Sequence, residues 1–199
     1  MRIVNCRQQS DEWDELRRRP TASNFGKFCT PARADYSKSA TAYACVVIAK
    51  KLGVYTEAPP TYWMERGVEL EPYAREQYTA LTGREVVEVG FIFPDHTDSY
   101  GGSPDGLVGD DGMIEIKCLA PENLIACHAS GQMPDVYKPQ VQGNLMIASR
   151  SWCDFHVYHP DMTPFLLRVE SNEKYQTKIA ENLLRLLEEI ERIELAMSL

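Results

Sequence analysis

The chain has 199 residues, 44% of them hydrophobic, enough for one globular domain, 1–199, with a core of its own. A net charge of −8 argues against a protein that coats nucleic acid by bulk attraction. Six cysteines without a Cys-x-x-Cys pair fit reduced thiols better than a disulfide framework, an iron–sulfur cluster or a standard zinc pattern. No apolar run is long enough for a membrane span and no apolar signal core follows Met1, so a soluble, cytoplasmic protein is expected. The charge is uneven: residues 1–51 carry ten Lys or Arg against five Asp or Glu, and the remainder eleven against twenty-four. A basic first quarter on an acidic body suits a grip on phosphates at one place, or simply a solvated basic helix face.

In chain order, Ser10 reads as the N-cap of a helix from Asp11 to about Arg19, with acids in its first turn, ended by Pro20. The small polar stretch Thr21–Lys27 suits the lining of a pocket. A second helix is predicted from Thr41 to Leu52, closed by Gly53. A third is predicted from about Val68 to Leu81, with Pro72 tolerated near its first turn and Gly83 as its stop. Three strands follow, Glu85–Phe93, Tyr100–Val108 and Met113–Leu119, then helices at Pro121–Ser130 and Pro134–Ser149, the second restarting near Pro139. Trp152–His159 and Pro164–Glu170 read as a late strand pair. An amphipathic helix spans about 173–197, with Ile179, Leu183, Leu186, Leu187, Ile190 and Ile193 on one stripe, to pack on its own domain, on another subunit or on a partner. This order is that of an α/β protein with a restriction-endonuclease-like core, a mixed central β-sheet flanked by helices.

The chemistry concentrates in Ser103–Lys117. Gly109-Asp110-Asp111-Gly112 is turn chemistry between two β-prone stretches, so the segment is a predicted hairpin. Glu115 and Lys117 share one face of its second strand, with Ile114 and Ile116 on the other, and the hairpin returns Asp105 to Glu115. Two carboxylates placed in this way suit a hard cation such as Mg²⁺, and a lysine beside them suits orienting or deprotonating a water for phosphodiester hydrolysis. An acid, a variable hairpin and Glu-x-Lys resemble the signature of the PD-(D/E)xK nuclease superfamily; an exposed hairpin with an idle Glu/Lys pair is the alternative.

Other residues are open to two readings. Glu71 is a further metal contact or an i,i+4 partner of Arg75. Gln140 holds the attacking water or is an ordinary first-turn residue. Arg17 and Ser23, with Ser103, suit a terminal phosphate, or are surface groups bonded locally. Trp13 and Phe25 stack on a base or belong to the core.

Trp13…Leu16-Arg17…Thr21-Ala22-Ser23, Gly67…Glu71…Ala74-Arg75, Ser103-Pro104-Asp105-Gly106, Glu115-Ile116-Lys117-Cys118 and Tyr137…Gln140-Val141-Gln142 occur in this order. Together, from about residue 7 to 175, they resemble the λ-exonuclease (YqaJ-type) viral recombinase family. The resemblance implies a toroidal homotrimer that threads duplex DNA ends and digests one strand 5′→3′ to mononucleotides with Mg²⁺ (Mn²⁺ substituting). It implies a 3′ single strand left for a single-strand annealing protein. It implies Asp105, Glu115, the Ile116 carbonyl and Glu71 as metal ligands, Lys117 and Gln140 at the water, and Arg17, Ser23 and Ser103 as a 5′-phosphate pocket. The stretch between Arg17 and Ser23 is one residue shorter than in λ exonuclease, which makes Arg18 the alternative to Arg17. A restriction-type or RecB-type endonuclease and a catalytically silent DNA-binding module are the rival readings.

Overall fold

The computed structural model describes residues 1–198. Strand β1 (Arg2–Val4) leads to α1 (Asp11–Leu16), a 3₁₀ turn (Ala22–Lys27), α2 (Ala40–Lys51) and α3 (Tyr62–Thr82). Strands β2 (Val86–Val87), β3 (Phe91–Phe93), β4 (Gly106–Val108) and β5 (Gly112–Lys117) follow. Next come α4 (Pro121–Ser130), a second 3₁₀ turn (Asp135–Tyr137), α5 (Lys138–Ala148), β6 (Trp152–Val157), β7 (Phe165–Glu170) and α6 (Glu173–Ala196). Among the described residues no helix is long and apolar enough to cross a membrane.

Five strands make one mixed sheet in the order β2-β4-β5-β6-β7, while β1 and β3 pair separately. Only β5 and β6 are parallel, and the crossover between them carries α4 and α5. The hairpin β4–β5 closes through Gly109–Asp111, with Gly109 at φ +57°, a conformation that favours glycine. β5 separates two apolar layers. Met113 faces the main core with α2, α5 and α6, whereas Ile114 and Ile116 face a smaller cluster with Ala74 and Tyr78 of α3. Period-2 alternation therefore sends Glu115 and Lys117 toward the α5 side. The apolar stripe of α6 packs on α2 and α5 of its own domain, burying Ile179, Leu183, Leu186 and Ile190.

The elements depart from expectation where backbone donors and acceptors find other partners. Ser10 Oγ caps α1 by accepting from Trp13 N at 3.3 Å, but the helix ends at Leu16 rather than Arg19. There the Arg19 Nε donates to the Leu16 carbonyl at 2.7 Å, and Pro20 disfavours helical geometry at Arg19. Helix α3 begins six residues before the expected Val68. Thr61 caps it, its hydroxyl accepting from Met64 N at 3.3 Å, so Pro72 sits in the middle and not in the first turn. Lacking an N–H, Pro72 leaves the Val68 carbonyl without its helical donor. The expected strand 85–93 is two strands in two sheets, because the chain passes Cys6 at Gly90 so closely that any Cβ there would collide with Cys6 backbone. The expected strand 100–108 is regular only from Gly106; upstream, Gly101 and Gly102 form isolated bridges to Thr21 and Ile92. Helix α5 starts at Lys138 after a 3₁₀ turn, near the restart expected at Pro139.

Candidate active site

Glu115 is fully buried at the middle of the sheet, and each of its oxygens is held. Oε1 accepts from Lys117 Nζ and from Gln140 Nε2 at 2.5 Å, and Oε2 from Asn144 Nδ2 at 3.5 Å. Gln140 and Asn144 are four apart on α5, one helical turn, so both amides reach down to one carboxylate. Asp105, just before β4, turns back across the hairpin: its Oδ2 accepts from Ile116 N at 2.6 Å. That bond ties Asp105 to the Glu-x-Lys strand beside the Ile116 carbonyl. Glu71 reaches in from α3 and shares an open cleft of about 560 Å³ with Asp105, Ile116 and Lys117. A second cleft of about 770 Å³, on the side of residues 5–10, shares Val68, Glu71 and Asp105 with the first. The carboxylates therefore stand where two clefts meet.

Glu71 is placed between its two readings. It is paired with Arg75, whose Nη2 donates to Glu71 at 2.6 Å, and it also faces the cleft. Arg75 in addition approaches the Asp105 carbonyl at 3.4 Å and Glu88 at 3.1 Å, so it braces the acidic cluster from behind.

The electrostatics are those of carboxylates short of positive charge. Burial, then the Asp105 charge, pushes Glu71 up to about 7. Burial also raises Glu115 to about 7, with Lys117 pulling the other way, and raises Asp105. For Lys117 burial acts downward, but Glu115 and Asp105 outweigh it and hold the ammonium more firmly charged than usual. A set of acids that resists ionising, with a backbone carbonyl beside it, is an oxygen donor set that gains from a hard divalent cation. In the present arrangement the carboxylates are turned to Lys117, Gln140, Arg75 and Ile116 N, and among the described residues no three acidic, His or Cys side chains are gathered into a coordination cluster.

The residues expected to form a phosphate pocket, Arg17, Ser23 and Ser103, lie on neighbouring segments. Thr21 bridges Gly101 in parallel register, which draws residues 21–23 alongside 101–103. Ser103 Oγ accepts from Trp13 Nε1 at 2.8 Å, and the Arg17 guanidinium lies 4.0 Å over the Trp13 ring, so Trp13 links the two. Ser23 is exposed, its hydroxyl 3.2 Å from that of Thr21. Arg18 instead pairs with Glu15 at 2.7 Å and lines a different hollow beside Lys51 and α6. Phe25 is core.

Several neighbours escaped the sequence reading: Asn144, Arg75's second role, and Lys27 and Lys50 beside Arg17. Asn144 was signalled by its one-turn spacing from Gln140; the two lysines carried no local signal.

A family model of the YqaJ-like viral recombinase domain matches residues 12–151. Among solved structures, the chain is 32% identical to an alkaline exonuclease (LHK-Exo) from Laribacter hongkongensis. The match covers 95% of this chain and 98% of that one with a TM-score of 0.81, and the figures are the same for that enzyme in complex with dAMP. A phage-related exonuclease from Haemophilus somnus 129PT, 13% identical over 90% of this chain and 96% of that one with a TM-score of 0.68, shares the fold. No match was found among curated proteins.

Proposed function

The chain belongs to the YqaJ-like viral recombinase domain family, and from that premise we propose that it is a Mg²⁺-dependent exonuclease. It would degrade one strand of linear duplex DNA 5′→3′ to mononucleotides, leaving a 3′ single strand. The observation that carries this reading is the convergence of Asp105, Glu115, Lys117 and Gln140 on one strand, β5, beside an open cleft, with cationic Arg17 in a neighbouring hollow that shares Met64 with that cleft.

Asp105, Glu115 and the Ile116 carbonyl would hold the metal, with Glu71 assisting from α3. When bound, such an ion polarises the scissile phosphate and stabilises the entering and leaving oxygens. The chain's own groups do the rest. Lys117, held charged between two carboxylates, orients the water and offsets negative charge at the phosphate, a role that suits it better than that of a base. Gln140 already donates to Glu115 through Nε2, which leaves its carbonyl oxygen to accept from the same water. Asn144 keeps Glu115 in place. Arg17, Ser23 and Ser103 would take the 5′-phosphate, and Trp13 ties the first and last of these together. A homotrimer around the duplex and a single-strand annealing partner follow from the same family reading.

The test is digestion of linear duplex bearing a 5′-phosphate beside a covalently closed circle, with Mg²⁺ or EDTA, for wild type and Lys117→Ala. Mononucleotides from the linear substrate alone, lost with EDTA and in the variant, are expected. A cut circle would point to an endonuclease, and no cleavage of either substrate to a silent binding module.

A further inference from the structure

Beside Trp13, Arg17 enters a small hollow of about 220 Å³ that is also lined by Lys27 and Lys50. Among the described residues the Arg17 guanidinium and the Lys27 ammonium make no hydrogen bond or ion pair, although Arg17 is half-buried. Burial lowers the pKa of both, as it does for cations awaiting an anion. Arg19, at the same rim, is committed elsewhere, to the carbonyls of Leu16 and Asp98. The one carboxylate lining the hollow is Glu57, carried on the loop between α2 and α3. It pairs with Lys50, and Arg17 and Lys27 are close enough to lower its pKa further. Three cations thus face one carboxylate, and Glu57 is 66% exposed on a loop whose residues 52–61 are all exposed, so it can leave at little cost.

We propose that Glu57 is the resident counter-anion of the 5′-phosphate pocket, standing in the DNA-free protein where a terminal phosphate binds, and that Lys27 and Lys50 join Arg17 in holding that phosphate. This rests on the reading of Arg17 as a 5′-phosphate ligand. A terminal phosphate carries about 1.5–2 negative charges, against one for a carboxylate or an internal phosphodiester. Displacing Glu57 is therefore favourable for the end of a strand and nearly neutral for its interior. The loop acts as a threshold that favours chain ends.

The experiment measures equilibrium binding, by fluorescence anisotropy in EDTA, of duplexes ending in 5′-phosphate or 5′-hydroxyl. Glu57→Gln is expected to bind the phosphorylated end roughly 1.5-fold to fivefold more tightly, the range set by an exposed ion pair, with Glu57→Ala agreeing and Glu57→Asp staying near wild type. Lys27→Gln and Lys50→Gln should weaken the phosphorylated end by similar factors and leave the hydroxyl end nearly unchanged. Glu57→Gln and Glu57→Ala binding no tighter than wild type, while Arg17→Ala abolishes a wild-type preference for the phosphate, would overturn the role of Glu57 alone. A wild type without that preference would overturn the phosphate pocket and, with it, this inference.

Discussion

Glu71→Gln should make the metal-free protein more stable at alkaline pH, against the ordinary expectation for a substitution of a part-buried, ion-paired residue. Glu71 is raised from 4.5 to about 7 in the folded chain by burial and then by Asp105. With the folded pKa above the unfolded one, the native state holds more protons between about pH 4.5 and 7, so its stability falls as pH rises through that window. At about 1.4 kcal/mol per unit, the ceiling is about 3 kcal/mol. Glu71 is 30% exposed and Arg75 partly neutralises it, so about 1–3 kcal/mol is the working figure. For a chain of this size that is roughly 3–10 °C in melting temperature. The assay is thermal unfolding in EDTA from pH 5 to 8.5 for both proteins. The curves should lie closest at pH 5, the acid end of the range, and separate steadily as pH rises to about 7, with the variant higher and the gap constant above that. Mg²⁺ should then stabilise wild type more than the variant, because its ligand is lost. A constant offset across the whole range, or a gap that closes toward pH 8, would refute the argument that burial strains this carboxylate.

Three further outcomes follow from the same contacts. Lys117→Ala should reduce single-turnover cleavage by about 10²–10³-fold, the scale of a group aimed at charge developing on the reacting phosphate, while DNA binding in EDTA changes little. Asn144→Ala should weaken Mg²⁺ binding about tenfold by calorimetry, as loss of a group supporting a metal ligand does. Gly102→Ala should act in the same direction, since a Cβ there collides with Asn144 Oδ1. Asp154→Ala, which lines neither cleft, should lower stability by about 2–3 kcal/mol by denaturant unfolding. Asp154 is buried and accepts from Tyr78 at 2.7 Å and from two nitrogens of Arg168 at 2.9 Å.

How much of this site was legible in the chain depends on how far apart in sequence its partners lie. Asp105, Glu115 and Lys117 could be placed because a three-residue turn and the two-residue period of a strand fix their relation locally. Gln140 and the stripe of α6 followed from helical period in the same way. Glu71 was seen, but on a helix six residues too short, because Gly67 and Pro72 look like boundaries and Tyr62, Trp63 and Met64 are exposed and show no apolar period. The link from Trp13 to Ser103 joins residues 90 apart, and nothing local announces it. Lys27, Lys50 and Glu57 are alike in this respect: each reads as a solvated charge until α2 and the 3₁₀ turn place them around Arg17. The carboxylates of the candidate site sit where the backbone repeats, and repetition can be read. Selection of a DNA end, on the reading given above, depends on loops and helix ends brought together only by the closed fold. A sequence motif can therefore identify the chemistry while saying little about which phosphate is presented to it.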